Sequence, residues 1–509
     1  MPNKIDSNET GLRIVEEQSL GVLLGTSGDI YYPAEPNSYS DFGGGISTVA
    51  RNPINEGRQR RKGVVTDLEA SGGFQMDLTQ KNFLRLAQGY FYADWREKMT
   101  TASLWDTGIT ITAATTGPNT YTAAAGLDGF QVGELVFASG FTNSGNNGLK
   151  TVTAVAAATL TVSETLTAEG SPPAAAKLET VGFVCDSDDV DVSVVDNLPK
   201  LTSTTTDFTD LNLIPGEWVY IGGDTALSMF ANAENNGLAR VYSVTATELK
   251  FDKTEDTMVI EASSGGREIR IFLGHVLKNE ATTALVTRRT FQLERTLGED
   301  GVGVMSEYLV GAGCNEASIN VPQADKVVVD VSFVATDNEQ RTGTVGIKTG
   351  TRPAIVPETA FNTSSDFSRI KMGLVDAADS NVTPLFAYLS EMTLTIANNI
   401  TPDKAVAVLG AFDVSTGTFE VGGSVTAYFA DITAVQAVRN NSDVTIDFAM
   451  VKDNAGLLFD IPLLSLGNAR LQVEQDQSIK LPLELGGAES ANNHTLLLME
   501  FAYLPTVAE

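Results

Sequence analysis

Gly133–Val162 reads GELVFASGFTNSGNNGLKTVTAVAAATLTV, and Gly216–Phe251 reads GEWVYIGGDTALSMFANAENNGLARVYSVTATELKF. From Asn146 and Asn235 onward the two run without a gap. Leu149, Val152, Val155, Leu160 and Val162 fall on Leu238, Val241, Val244, Leu249 and Phe251. In both, an Asn-Asn-Gly turn able to take positive φ lies between short runs of Val, Leu, Tyr and Thr. Each copy therefore reads as a small antiparallel β module of about 80 residues, compatible with a little barrel.

A fainter repeat flanks this one. Ile46–Gln80 (ISTVARNPINEGRQRRKGVVTDLEASGGFQMDLTQ) runs beside Leu394–Thr426 (LTIANNITPDKAVAVLGAFDVSTGTFEVGGSVT). That alignment sets Thr48–Gly63 against Thr395–Gly410, Asp67 against Asp413 and Phe74 against Phe419. Further on, Asn315–Phe333 (NEASINVPQADKVVVDVSF) matches Gly467–Leu485 (GNARLQVEQDQSIKLPLEL) without gaps, so Val327, Val329, Val331 and Phe333 fall on Ile479, Leu481, Leu483 and Leu485. A slip of one residue would move each apolar set to the wrong face, so a shared register is informative. The expectation is a duplicated domain. Its first copy is residues 1–100 plus 265–340, its second 341–509, and two inserted modules occupy 101–180 and 181–264.

The fold class expected is all-β with minor α: a duplicated β-sandwich or barrel plus two small inserted β-barrel-like modules. Phe419, Val421, Val425, Ala427 and Phe429 alternate with polar and small residues, the period of a half-buried strand. A helix is expected where Phe83, Leu86, Ala87, Tyr90 and Phe91 share one face, with Thr79 as its cap. The second copy has a shorter helix with Ile432, Val435 and Val438 inward.

Composition bounds the function. The 509 residues exceed the reach of one core, which rarely passes about 300 residues. Formal net charge is −30, from 64 acidic and 34 basic residues. So acidic a surface disfavours adhesion to nucleic acid or to an anionic membrane. No run of about 18 apolar residues is present to span a membrane, and MPNKIDSNETGLRI lacks the pattern of a signal peptide. With Cys185 and Cys314 alone, a disulfide framework is excluded, and both are expected as reduced core thiols.

Enzyme readings fare poorly. His275 and His494 are the only histidines, which leaves few members for a triad or a His-rich metal site. The run Asp186–Ser193 (DSDDVDVS) has carboxylates for calcium but lacks the Gly and terminal Glu of an EF-hand loop, so a solvated turn is preferred. Gly298–Tyr308 (GEDGVGVMSEY) reads as a hairpin turn instead of a phosphate loop. Trp95, Trp105 and Trp218 are too scattered to suggest a carbohydrate cleft. No catalysis, cofactor or metal is expected.

Ser38–Gln80, beginning SYSDFGGGISTVARNP, resembles the start of a family of phage tail tube proteins. Thr395–Phe429 is similar to the Asn-rich strand end and Gly-x-Phe-x-Val-x-Gly hairpin of such proteins. With the segment GEWVYIGGD…NNGLARV, the resemblance spans most of the chain. It implies a β-sandwich whose inner strands join those of neighbours in one barrel. Rings then stack into the tube of a long, non-contractile siphovirus tail, through which DNA leaves the capsid.

Simple members form hexameric rings from one tube domain. Duplication leads us to expect trimers with pseudo-sixfold symmetry; a hexamer with the second copy outside is the runner-up. Another tail, baseplate or surface-binding β-repeat protein is the alternative function. The partners implied are the chain itself, the tail terminator, tape measure and distal tail proteins, and double-stranded DNA in transient passage. No membrane anchor is expected, and the place is the virion tail, assembled in the host cytoplasm. Asp77, Asp330 and Glu420, on the polar sides of alternating strands, are candidates to line the bore. Arg51, Arg58, Arg60, Arg61 and Lys62 form one dense basic cluster, expected either to dock on the acidic face of an adjacent ring or to be a solvated hairpin tip.

Overall fold

Alternation sets the central strands. Val328–Ala335 buries Val329, Val331, Phe333 and Ala335 and leaves the residues between them half-exposed, as in a sheet with one face on a core. The computed structural model describes residues 4–508 apart from 52, 53, 55, 56, 58–60, 105–107, 196, 377 and 378. Among them the chain is mostly strand, with two short α-helices, α1 (Leu84–Phe91) and α2 (Thr433–Asn440).

The main strands of the larger, 16-stranded sheet are β1 (Thr10–Glu16), β2 (Pro36–Ala50), β3 (Gly63–Asp77), β4 (Thr290–Glu299), β5 (Val304–Val321), β6 (Val328–Ala335), β7 (Phe367–Leu374), β8 (Leu389–Ala397), β9 (Glu420–Tyr428), β10 (Val444–Lys452), β11 (Ala455–Asn468) and β12 (Lys480–Gly487). The first six pair antiparallel in the order β2-β3-β6-β5-β4-β1. The last six repeat that order as β8-β9-β12-β11-β10-β7. Even an irregularity recurs: register shifts between Pro36 and Ser38 in β2, and between Leu389 and Glu391 in β8. Strand β5 pairs with β4 over its first half and with β6 over its second, so it carries the chain from one layer of a sandwich to the other.

Val331 lies between Phe74 and Ala317, and Leu483 lies between Val425 and Asn468. Val331 and Leu483 are equivalent in this pairing, but Asn468 stands where the ungapped alignment sets Ala469; one extra residue at Asn468–Ala469, both of positive φ, restores that alignment by the Gln472–Lys480 bridge. The pairing corrects the other alignment. Phe74 is equivalent to Val425, not Phe419, and Gly43 takes the place of Thr395. Gly, Ser and Thr dominate β2 and β8, so few large side chains mark a face there.

One apolar core runs beneath both sets, from Leu12 and Phe74 to Leu483 and Leu498. Helix α1 covers it with Leu86, Ala87, Tyr90 and Phe91. Thr79 does not cap α1: its hydroxyl accepts from the Asn82 N–H and donates to Glu358, fixing the turn before the helix. Helix α2 packs Val435 and Val438 against the core as expected, buries Ala434 and Ala437 more deeply, and leaves Ile432, just before its first turn, exposed.

Strand β10 is buried at nearly every position and β11 from Gly456 to Pro462, since both of their faces are covered there. Phe448 and Phe459 point into the main core. Ala449, Val451 and Leu458 meet Trp218, Tyr220, Leu238 and Phe272 of the inserted region. That region is a 12-stranded sheet running from Ile111–Thr115 to Arg270–Phe272, over two separate cores. Strand Lys177–Val184 joins the two, pairing with Glu134–Ser139 on one side and with Arg270–Phe272 on the other.

Candidate functional site

The two sets of strands are joined edge to edge. Glu316–Val321 of β5 pairs antiparallel with Met392–Ala397 of β8, with Asn320 opposite Thr393 and Val321 opposite Met392. Their side chains also meet: the Thr393 hydroxyl donates to Asn320 Oδ1 at 3.1 Å. Away from this seam the sheet has open ends. Strand β2 pairs only with β3 among the described residues, and Arg470–Val473, which extends β11, makes a single bridge, Gln472 to Lys480. Open edges of this length invite another chain.

The polar side of the joined sheet carries the three acids proposed for a bore. Asp330 accepts from Gln75 Nε2 at 3.0 Å and from Asn320 Nδ2 at 2.8 Å. Asp77 is paired with Lys326 at 2.7 Å. Glu420 is exposed opposite Ala397. Glu316, Glu391 and Glu484 share that side by strand parity.

The ends of β2 and β3 run on as an arm. Arg51, Arg61 and Lys62 are exposed at its far end; Arg58 and Arg60 lie outside the described residues. The arm also exposes Ile46, Val49, Val64 and Val65, each by more than half, which the charge reading alone does not reveal. A second arm, Thr401–Lys404 with Ala411–Ser415, exposes Phe412 and, in its turn, Val406 and Leu409. Lys404 of the second arm is ion-paired with Asp67 of the first.

The inserted modules carry matching locks. Glu169 accepts from the Thr142 and Asn143 N–H groups and from the Asn143 and Asn146 side chains. Glu261 does the same with the Ala231 and Asn232 N–H groups and the Asn232 and Asn235 side chains. Burial alone would raise the Glu261 pKa; its four donors outweigh that and hold it below the ordinary value. These glutamates lie beyond the aligned repeat, which is why the sequence reading missed them. Glu261→Ala removes the shared acceptor of four donors, three of these bonds being open to solvent, and is expected to cost about 1–2 kcal/mol. Urea-dependent proteolysis of the inserted region measures it, and an unshifted midpoint would rule the lock out.

Glu179, His275 and Glu500 form the only three-ligand cluster among the described residues. His275 Nδ1 accepts the Lys98 N–H at 2.9 Å, which leaves Nε2 as the proton-bearing donor to Glu179 at 2.8 Å. A metal on Nε2 would require an imidazolate, so the donors do not fit a cation. The trio is a buried tie between Lys98, the insert and the last strand. The Asp186–Ser193 carboxylates likewise do not converge. Asp188 accepts from the Gly266 and Arg267 N–H groups, and Asp189 from those of Thr204, Thr205 and Thr206. Asp300, in the Gly298–Tyr308 turn, accepts from the Val302 and Gly303 N–H groups. Cys185 and Cys314 are free and buried.

His494 makes a testable pH contact. Its Nδ1 faces the Asn492 carbonyl at 3.2 Å and must carry the proton, since a carbonyl only accepts. Its Nε2 is buried without a hydrogen-bond partner. Burial pushes the pKa from 6.5 down to about 4. The unfolded chain therefore binds this proton more tightly, and stability is lost as pH falls through that window, by about 3 kcal/mol in all. His494→Gln is expected to flatten the slope of urea stability between pH 6.5 and 4; an unchanged slope contradicts the assignment.

No helix among the described residues is long and apolar enough to cross a membrane. A search of curated proteins finds no match. The family model for the phage tail tube protein matches residues 7–487, which takes in both sets of strands, the seam between them and the whole insert. The chain belongs to the phage tail tube protein family, structural components of the phage tail that assemble with themselves and with other tail proteins.

Proposed function

We propose that this protein acts structurally, not catalytically, as the repeating ring subunit of a siphovirus tail tube that conducts DNA from the capsid to the host. The β5–β8 seam carries the reading. Within one chain it already joins two equivalent sets of strands head to tail, and a head-to-tail step that closes makes a ring. Three chains then supply six sets, a homotrimer with pseudo-sixfold symmetry. The two copies are residues 1–100 plus 265–340 and residues 341–509, with 101–180 and 181–264 as outward modules whose sheet also takes up the strand Arg270–Phe272 of the first copy.

The polar side with Asp77, Asp330 and Glu420 faces the bore, where like charge keeps DNA phosphate from adhering. The tape measure, tail terminator and distal tail proteins are the subunit's partners in the tail. The arms stack rings. Arg51, Arg58, Arg60, Arg61 and Lys62 meet an acidic face, and Ile46, Val49 and Phe412 add apolar contact. Arg60→Glu with Arg61→Glu is expected to give folded subunits that fail to elongate; normal tubes from this variant would sink the docking role. Assembly takes place in the host cytoplasm.

The function is tested by negative-stain microscopy of purified protein at rising concentration, with double-stranded DNA retention assayed at near-physiological salt. Hollow tubes that retain no DNA are expected. A monodisperse monomer at every concentration contradicts the reading.

A further inference from the structure

We propose that rings close through one defined ladder: Arg470–Val473 of one chain pairs antiparallel with Tyr39–Gly43 of the next, with Gln472 opposite Ser40 and Val473 opposite Tyr39. The inference rests on the ring reading above and adds the partner strands and their register.

The seam inside the chain is the template. In the first set, Asn320 pairs with Val328 of β6; in the second, Gln472 bridges to Lys480 of β12. Val328 and Lys480 hold the same place, because Val331 and Leu483 do, so Gln472 is the equivalent of Asn320 and Val473 of Val321. On the other side of the template, Met392 and Thr393 sit opposite Val425 and Ser424, as Tyr39 and Ser40 sit opposite Phe74 and Gly73. Gly43 follows as the equivalent of Thr395, after a bulge in which Asp41 takes φ 46°. Carrying the β5–β8 register across these equivalences gives the proposed ladder.

Both partner segments lie on open edges, with the Phe42 carbonyl already accepting from Arg295 Nη2 at 3.2 Å. Ser38, Ser40 and Asp41 are exposed on an edge strand, and residues 470–473 are all exposed, Val473 by 69%. The side chains that would meet repeat the chemistry of the template. An amide faces a hydroxyl in Asn320–Thr393 and again in Gln472–Ser40. A valine faces a large side chain in Val321–Met392 and again in Val473–Tyr39. Nothing in the fold of a single subunit requires that agreement at two surface positions. A second copy of this chain is therefore the occupant that the two edges specify.

The test is cysteine cross-linking in the full chain. Ser40→Cys with Gln472→Cys is expected to give chain-to-chain disulfides under mild oxidation, with a ladder on non-reducing gels that ends at three chains. Ser38→Cys with Gln472→Cys shifts the register by two residues, to a diagonal separation of about 7–8 Å. That exceeds comfortable disulfide reach, so cross-linking should be about tenfold slower. The unmodified protein supplies an independent readout: amide exchange at 470–473 should slow on assembly. Rings in which the matched pair stays reduced, or the shifted pair links faster, overturn the register and leave the ring reading standing. Absence of rings, with no cross-link in either pair, overturns both.

Discussion

Lys253→Ala is expected to lower the unfolding free energy by about 3–5 kcal/mol and to loosen the inserted region from the main sheet. Lys253 and Asp447 are 1% and 0% exposed in their side chains and form an ion pair across that junction. Lys253 also donates to Thr445 Oγ1 at 3.1 Å. Asp447 is shared with Arg369, which reaches Glu255 of the insert at 2.9 Å and lies 5.2 Å from the Trp218 ring centre. Beside them Arg240 bridges Asp252 of the insert at 2.8 Å and Asp460 of β11 at 3.0 Å.

Burial penalises the Asp447 charge, yet Lys253 and Arg369 together hold its pKa below the ordinary value. Removing Lys253 leaves a buried carboxylate with one cation in place of two. Water cannot substitute without opening the interface. Limited proteolysis of the insert in rising urea reads the effect. Lys253→Met with Asp447→Leu should recover part of the loss, since a well-packed apolar pair needs no compensation. Were the single variant as resistant as the parent, the junction would not depend on its charges.

Leu471→Pro is expected to prevent ring closure at the concentration where the parent just assembles, while leaving the subunit folded. Leu471 is 39% exposed and pairs with no other strand of its own subunit. Proline removes an N–H that the proposed ladder needs and fits poorly inside a paired strand. Losing about 1–2 kcal/mol at every seam raises the concentration needed for assembly by about tenfold or more. Glu474→Pro is the matched control. Its equivalent in the first set is Pro322, directly after the paired segment, so a proline there should be tolerated. Sedimentation of tubes measures both. Assembly of the Leu471 variant at parental concentration would mean that another edge closes the ring.

How much of this was legible in the sequence follows from where large side chains fall. Val329, Val331 and Phe333 of β6, with Val327 just before it, mark one face so plainly that Val331 and Leu483 stayed matched. The β2 and β8 alignment slipped, because SYSDFGGG and EMTLTIAN offer little volume to fix a face. Charge clusters drew attention to Arg51–Lys62, whereas the exposed valines of the same arm are ordinary β formers and carry no signal until the fold shows which strands overhang. Asp447 and Asp460 did carry one, as lone acids inside the apolar runs VTIDFAMV and GLLFDIPLL. Lys253 and Arg240, their partners from the inserted module, lie about a domain away in sequence, and only the three-dimensional structure brings them together.

End-on images of assembled rings, averaged without imposed symmetry, show whether both sets of strands share one barrel. Threefold rings are expected, in which six similar inner lobes alternate between two outer shapes, because the insert covers β10–β11 and the N-terminal segment packs on β5. Six identical lobes around the ring would contradict that expectation, leaving a tube protein whose two sets of strands do not share one barrel.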